Sequence, residues 1–134
     1  MNRKILALDL GQKKIGLAIG SSFGLSSTPL MVLENNPDLL PKLSKVITEE
    51  QIDLIIIGRP RNIDGSNTDQ TVKIIAMGKE LMEKLKIKNY LFEDEFLSSK
   101  RANEIISQSK KYRASDEDMV AASLILDDYL LRIN

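Results

Sequence analysis

Three acidic positions stand beside apolar segments, where their carboxylates could meet and bind a metal ion. Asp9 follows the first apolar run of the chain, and Asp118 lies at the beginning of the last helical segment. Between them, a short apolar run ends in three consecutive acids, of which Glu95 or one of its neighbours Asp94 and Glu93 would join the other two. Converging carboxylates repel one another unless a cation neutralises them. Two divalent cations about 3.5–4 Å apart are a standard arrangement for phosphodiester cleavage, and this is the chemistry that the acids suggest.

Two of these acids also have a purely structural explanation. Asp9 could begin the turn that follows the first strand. Ser115-x-x-Asp118 matches a capping box, and acids stabilise helix N-termini. The positions three, four and seven residues after Asp118 form a small apolar stripe of Ala121, Ala122 and Ile125. Because that stripe should pack on the sheet, we expect Asp118 to point inward, toward the strand ends.

The residue types that are missing narrow the chemistry further. The chain contains no Cys and no His. Their absence excludes Ser-His-Asp and Cys-His catalysis, thiolate chemistry and disulfides, and it argues against a zinc site. Hydrolysis would then depend on carboxylates and on oxygen-preferring cations, Mg²⁺ or Mn²⁺.

Charge is balanced overall but not along the chain. Lys plus Arg and Asp plus Glu both number 19, so the net charge gives no support to a nucleic-acid partner. Basic residues, however, concentrate between positions 100 and 113, and acidic residues follow between 116 and 128. A basic segment beside an acidic one fits a phosphate track that leads to a metal site, although solvated faces are the commoner explanation of such runs.

Apolar periodicity and turn residues predict a single α/β domain that spans residues 1–134. The predicted strands are Ile5–Leu8, Ile15–Ile19, Thr28–Glu34, Leu54–Ile57 and Tyr90–Phe92. The predicted helices are Leu39–Glu50, Asp69–Leu85, a segment capped by Ser98 or Ser99 that ends near Ser107, and Asp116–Ile133. The first three strands should form an antiparallel meander, whereas the two that alternate with helices should be parallel. The result is a five-stranded mixed sheet with helices on both faces.

The sequence shows neither a membrane span nor a leader peptide. No apolar run approaches the roughly 20 residues that a span needs. The N-terminus lacks the apolar core and cleavage site of a signal peptide. We therefore expect a cytoplasmic protein without a membrane partner.

Four blocks of residues, in order and over nearly the whole chain, resemble a known family. The chain is similar to YqgF/RuvX-type proteins, which are small RNase H-like nucleases related to RuvC resolvases. The hairpin block alone is less specific, because actin-like kinases share its DxG pattern. The blocks are Asp9-x-Gly11-x-x-Lys14-Ile15-Gly16-x-Ala18, Gly58-x-Pro60-x-Asn62-x-Asp64-Gly65-Ser66, Asp94-Glu95-x-Leu97-Ser98-Ser99 and Asp118-x-Val120-Ala121-Ala122.

The resemblance implies an RNase H-like fold and a metal-dependent nuclease that matures the 5′ end of pre-16S ribosomal RNA. By motif position, Asp9, Glu95 and Asp118 would be the catalytic acids and the ligands of Mg²⁺ or Mn²⁺. Ser66 or Thr68 could cap the following helix, whose N-terminus can receive a phosphate. The positions that we expect to contact the nucleic acid are Lys14, Arg59, Arg61, Asn62, Ser66, Lys110, Lys111 and Arg113.

The sequence is also compatible with other functions. The family has also been associated with Holliday-junction resolution, for which a symmetric dimer would be favoured, so the chain could be a monomer or a weak homodimer. It could also be a catalytically idle module that binds nucleic acid or ribosomal precursor particles, although all three acids are present. A sugar-kinase-like ATPase, which the DxG hairpin would also fit, would need a second domain to enclose its nucleotide.

Two positions differ from the family pattern, since Phe96 and Lys14 stand where Arg is usual. Lys keeps only the point charge of a phosphate clamp.

Overall fold

The computed structural model describes residues 2–62, 64–95, 104–108 and 111–134. Its strands are β1 (Lys4–Leu10), β2 (Lys14–Ser21), β3 (Thr28–Glu34), β4 (Leu54–Pro60) and β5 (Tyr90–Glu95). They form one five-stranded sheet in the order β3-β2-β1-β4-β5. The pairs among the first three strands are antiparallel, whereas β1 pairs with β4 and β4 with β5 in parallel. The predicted mixed sheet is therefore confirmed.

Three longer helices pack on this sheet. They are α1 (Leu39–Glu49), α2 (Asp69–Lys84) and α3 (Glu117–Ile133), and a 3₁₀ turn at Ala114–Asp116 leads into α3. Residues 104–108 are also helical, and the rest of the helix predicted before Ser107 lies outside the described residues. In the part of the chain that the structure describes, no helix is both long and apolar enough to cross a membrane.

The alternation of side chains along β1 divides the core between the two faces of the sheet. Leu6, Leu8 and Leu10 contribute to the cluster formed with α1 and α2. Ile5 and Ala7 contribute to the cluster formed with α3. Successive side chains of a strand point to opposite faces, so the next odd-numbered residue, Asp9, shares the α3 face.

The strands continue further than the apolar runs predicted. Asp9 lies inside β1 and pairs with Gly16 of β2, so the interpretation of Asp9 as the first turn residue is wrong. The acids at 93–95 lie inside β5, where Glu95 pairs with Pro60 at the end of β4. Polar residues extend both strands because backbone hydrogen bonds continue to the end of the sheet. The carboxyl ends of the parallel strands β1, β4 and β5 lie side by side at one end of the sheet, which we call the carboxyl edge.

Candidate active site

Asp9 stands between two glycines at the carboxyl edge. Gly16 is its partner on β2. On its other side, Leu8 pairs with Ile57, which brings the next residue, Gly58, beside Asp9. A β-carbon on Gly16 would lie 1.8 Å from the carbonyl oxygen of Asp118, and one on Gly58 would lie 2.2 Å from Oε2 of Glu95. The space on one side of Asp9 is therefore taken by the backbone of Asp118, and the space on the other side by the carboxylate of Glu95.

Glu95 reaches this position from the last residue of β5. Its carboxylate lies over the backbone of Gly58, where Ile125 of α3 also approaches. Its Oε2 is buried and has no hydrogen-bond partner among the described residues. Burial raises the pKa of Glu95 to about 7. A buried carboxylate oxygen without a partner is costly, and either a proton or a cation would relieve that cost.

The neighbouring acids of β5 are engaged elsewhere. The Glu93 carboxylate binds the Arg132 guanidinium near the end of α3, with Nε donating to Oε1 at 3.2 Å. The Asp94 carboxylate accepts a hydrogen bond from Nε of Arg59 at 2.7 Å, and Nε of Arg61 lies 3.1 Å from the same oxygen. Of the three acids between which the sequence left the choice open, Glu95 is thus the one that faces Asp9.

Asp118 is half-buried in the first turn of α3. It does not cap the helix, because Asp116 is the N-cap residue and the predicted box with Ser115 is not formed. The side chain of Asp116 instead accepts a hydrogen bond from the backbone N–H of Arg113 at 2.9 Å, which closes the 3₁₀ turn that precedes the helix. Two residues of the predicted apolar stripe, Ala122 and Ile125, pack on the sheet. Ala121 is also buried, but it belongs to a separate cluster with Val120 and Leu124.

The acids interact through their charges. The pKa of Asp9 is raised well above its ordinary value, first by burial and then by repulsion from Glu95, Asp118 and Glu117. Glu117 was not included among the acids predicted from the sequence, although its position directly before Asp118 could have indicated it. Among the described residues, no three acidic side chains stand close enough together to enclose an ion as they are. The donors present are carboxylate oxygens, which suit Mg²⁺ or Mn²⁺, and the unpartnered oxygen of Glu95 fits such an ion.

The predicted substrate residues at the end of β4 and in the loop that follows it lie beside this cluster, but not within it. Arg59 and Arg61 are held by Asp94 and, by strand alternation, point to the α2 face of the sheet. Asn62 donates a hydrogen bond to Ser66 at 3.0 Å, so these two close the loop on itself.

The start of α2 is capped by Thr68. Its Oγ1 accepts a hydrogen bond from the backbone N–H of Thr71 at 3.1 Å, and the Thr71 hydroxyl accepts one from the backbone N–H of Thr68 at 2.9 Å. Of the two residues considered as caps, Thr68 therefore has this role. Ser66 instead donates to the Asp64 side chain at 2.6 Å.

The remaining predicted substrate residues are basic. Lys14 is exposed at the beginning of β2. The ammonium of Lys111 lies 5.5 Å from the centre of the Tyr112 ring, and Arg113 is exposed before the 3₁₀ turn. Lys110 lies outside the described residues, as does Phe96.

Solved structures with the same fold come from proteins that bind or resolve Holliday junctions. The T. thermophilus RuvC bound to a Holliday junction substrate aligns with a TM-score of 0.57 at 11% identity, covering 97% of this chain and 96% of that one. The fowlpox virus Holliday junction resolvase aligns with a TM-score of 0.55 at 14% identity, covering 96% and 99%. At such low identity the similarity concerns the fold alone, and it confirms the predicted RNase H-like fold.

Sequence relatives are closer. A protein of Orientia tsutsugamushi named "Putative pre-16S rRNA nuclease" is 34% identical over 137 residues, covering 99% of this chain and 87% of the relative. A protein of the same name from Sulfurihydrogenibium sp. is 32% identical, covering 98% and 92%. The profile of the RuvX family, described as Holliday junction resolvase, matches residues 3–132. The chain therefore belongs to the RuvX family.

Proposed function

We propose that this protein is a divalent-metal-dependent nuclease that hydrolyses phosphodiester bonds in structured RNA, with Asp9, Glu95 and Asp118 as its catalytic acids. The observation that carries the proposal is the position of Asp9 between Gly16 and Gly58, with Asp118 and Glu95 filling the space beside them. Glycines at both neighbouring positions let two further acids approach a central one. Such crowding costs stability unless the site binds a cation.

Mg²⁺ or Mn²⁺ would be held by the carboxylates of Asp9, Glu95 and Asp118. When bound, such an ion stabilises the charge that develops on the phosphate and helps to activate the attacking water. The protein itself contributes orientation, since β1, β5 and α3 each fix one acid at the carboxyl edge. It also contributes a mostly apolar floor on the α3 face, which limits water around the acids.

The substrate is bound mainly through its phosphates. Arg59 and Arg61 lie on the α2 side of the same edge, so they would contact phosphates that flank the scissile one. Lys14, Asn62, Ser66, Lys110, Lys111 and Arg113 are the further candidates for substrate contacts. Aromatic residues make up only 4% of the chain and Trp is absent. Base stacking is therefore limited, and recognition of shape and backbone is favoured.

The names of the sequence relatives support a particular substrate, pre-16S ribosomal RNA, and the family resemblance implies processing at its 5′ end. The protein would then act in the cytoplasm on ribosomal precursor particles, as one nuclease domain over residues 1–134, and as a monomer or weak homodimer. A second candidate is the resolution of DNA junctions, which the description of the family profile favours.

One experiment tests both substrates. The purified protein is incubated with a 5′-extended small-subunit rRNA precursor and with a four-way DNA junction, in Mg²⁺, Mn²⁺ or EDTA. We expect shortening of the RNA with either metal, no product in EDTA, and no product from Asp9→Asn. Glu49→Gln, which removes one charge from an exposed acid of α1, should cleave as wild type does. Cleavage of the junction alone would reverse the order of the two candidates, and metal-independent cleavage would contradict both.

A further inference from the structure

Asp94 stands between two arginines at the carboxyl edge. Arg59 is its direct partner in the pairing of β4 with β5, and side chains of paired residues point to the same face. Arg61 lies two residues further along, so it also points to that face. Nε of Arg59 donates to Oδ1 of Asp94 at 2.7 Å, and Nε of Arg61 lies 3.1 Å from the same oxygen. One carboxylate oxygen thus serves two guanidinium groups.

Each arginine has a second support. The guanidinium carbon of Arg59 lies 6.0 Å from the centre of the Phe92 ring, which is on the same face of β5. Nη1 of Arg61 donates to the carbonyl oxygen of Gly65 at 3.2 Å. The arginine side chains are only 24% and 22% exposed, and that of Asp94 is 36% exposed. Ion pairs sheltered in this way are screened less than pairs on an open surface.

The contacts with Asp94 use the inner nitrogen of each arginine. An arginine carries five N–H groups in a fixed planar fork, and it binds phosphate through two of them at once. Because Asp94 contacts Nε, the outer nitrogens of Arg59 and Nη2 of Arg61 are not part of these contacts. The carboxylate therefore fixes the direction of the forks without occupying their outer ends.

We propose that Asp94 is a positioning residue that holds Arg59 and Arg61 so that their outer nitrogens receive phosphates flanking the scissile bond. This inference rests on the proposed function, because it assumes a nucleic-acid substrate. It assigns to Asp94 a role different from that of its neighbour Glu95, although the two acids are consecutive. Arg59 should depend on Asp94 more strongly than Arg61, because the Nε of Arg61 lacks the alignment of a hydrogen bond and Gly65 also holds that side chain.

The test measures binding rather than cleavage. The dissociation constant of a 5′-extended rRNA precursor fragment is determined in EDTA at several NaCl concentrations. The variants are Asp94→Asn, the double variant Arg59→Ala/Arg61→Ala, and the triple variant that combines them. Glu50→Gln is the matched control, because it removes the same charge from the ion pair with Lys4 at the opposite end of β1.

We expect Asp94→Asn to lower the salt slope toward that of the double variant, by up to about 1.4 for two contacts at about 0.7 each on a single strand. In the triple variant, where both arginines are already absent, Asp94→Asn should lower the slope no further than in the double variant. A residue that only supports the fold would not give this dependence on Arg59 and Arg61. If Asp94→Asn does not fold, Asp94→Glu replaces it, and a smaller fall in the slope is expected because the carboxylate moves by one methylene.

The remaining outcomes separate the two proposals. An unchanged or steeper slope in Asp94→Asn, with a reduced slope in the double variant, would overturn the role of Asp94 and leave the proposed function standing. A steeper slope would mean that Asp94 competes with phosphate for the arginines. Wild-type protein whose binding does not depend on salt would overturn the proposed function together with this inference.

Discussion

The carboxylate of Glu95 occupies the space that a side chain at position 58 would need. A β-carbon on Gly58 would lie 2.2 Å from Oε2 of Glu95 and 2.4 Å from Cδ1 of Ile125. Glu95 can therefore approach Asp9 only because β4 carries glycine between them. The acid cluster therefore requires glycine at position 58, as does the loop that follows.

Gly58→Ala should displace Glu95 and so weaken metal binding and cleavage together. Inserting a methyl group into a filled site costs about 1–3 kcal/mol of stability. Gly24→Ala is the control, since its β-carbon would come no closer than 3.3 Å to another atom, the carbonyl oxygen of Ser21. Calorimetry measures the Mn²⁺ affinity, and melting curves measure the loss of stability. Unchanged Mn²⁺ affinity in Gly58→Ala would mean that Glu95 is not a ligand.

The metal-free protein should be most stable in mild acid. The pKa of Glu95 rises from an ordinary value of 4.5 to about 7 on folding, so the folded state holds a proton that the unfolded state releases. This contribution is fully present below pH 4.5 and is lost as the pH rises through about 7. Asp9 acts in the same direction. The loss attributable to Glu95 is at most about 3.5 kcal/mol, at about 1.4 kcal/mol per pH unit.

Melting in EDTA from about pH 5 to about pH 8 tests this directly. Wild-type protein should lose stability across this range, and Glu95→Gln should lose less, because its amide does not ionise. Saturating Mg²⁺ should restore stability at the upper end. A melting temperature that stays constant or rises with pH in the metal-free protein would show that Glu95 is not held in a costly environment.

The directions of the strands could be predicted, because they depend on the local patterns of apolar runs, turns and helices. Apolar runs locate β1 and β4, and the stripe after Asp118 orients α3. The ends of the strands could not be predicted, because Asp9 and Glu95 are polar and are held in the ladder by neighbouring strands rather than by their own preference.

The choice among the acids of β5 also needed the structure. Glu93 is engaged by Arg132, which is 39 residues away in the sequence, and Asp94 by Arg59, which is 35 residues away. Contacts over such separations leave no local signal. Gly16 and Gly58 were recognised as parts of motifs, but the space that they provide depends on how α3 and β5 meet the sheet.

Gly16→Ala should disturb the cluster more than Gly58→Ala. Its β-carbon would lie 1.8 Å from the carbonyl oxygen of Asp118 and 2.7 Å from the backbone nitrogen of Met119. Backbone atoms of a helix cannot turn aside as a side chain can, so the first turn of α3 must move. We expect a lower melting temperature and weaker Mn²⁺ binding.

Gly20→Ala provides the comparison for Gly16→Ala. It lies on the same strand, but its β-carbon would first meet a methyl carbon of Leu126, at 3.1 Å. A side chain can give way by a few tenths of an ångström, so this variant should bind Mn²⁺ as wild type does. Equal loss of Mn²⁺ affinity in both variants would indicate a general effect of crowding under α3.

Asp118→Asn separates a metal ligand from a residue that only stabilises the helix start. The side chains are nearly the same size, and the change removes one negative charge beside Asp9. Metal-free protein should keep or gain stability, because relief of repulsion opposes the roughly 0.3–1 kcal/mol of a lost charge–dipole interaction. Cleavage and Mn²⁺ affinity should fall together, since Mg²⁺-type sites depend on carboxylate charge. Glu49→Gln controls for charge alone. Cleavage by Asp118→Asn at nearly the wild-type rate in saturating Mn²⁺ would remove Asp118 from the proposed site.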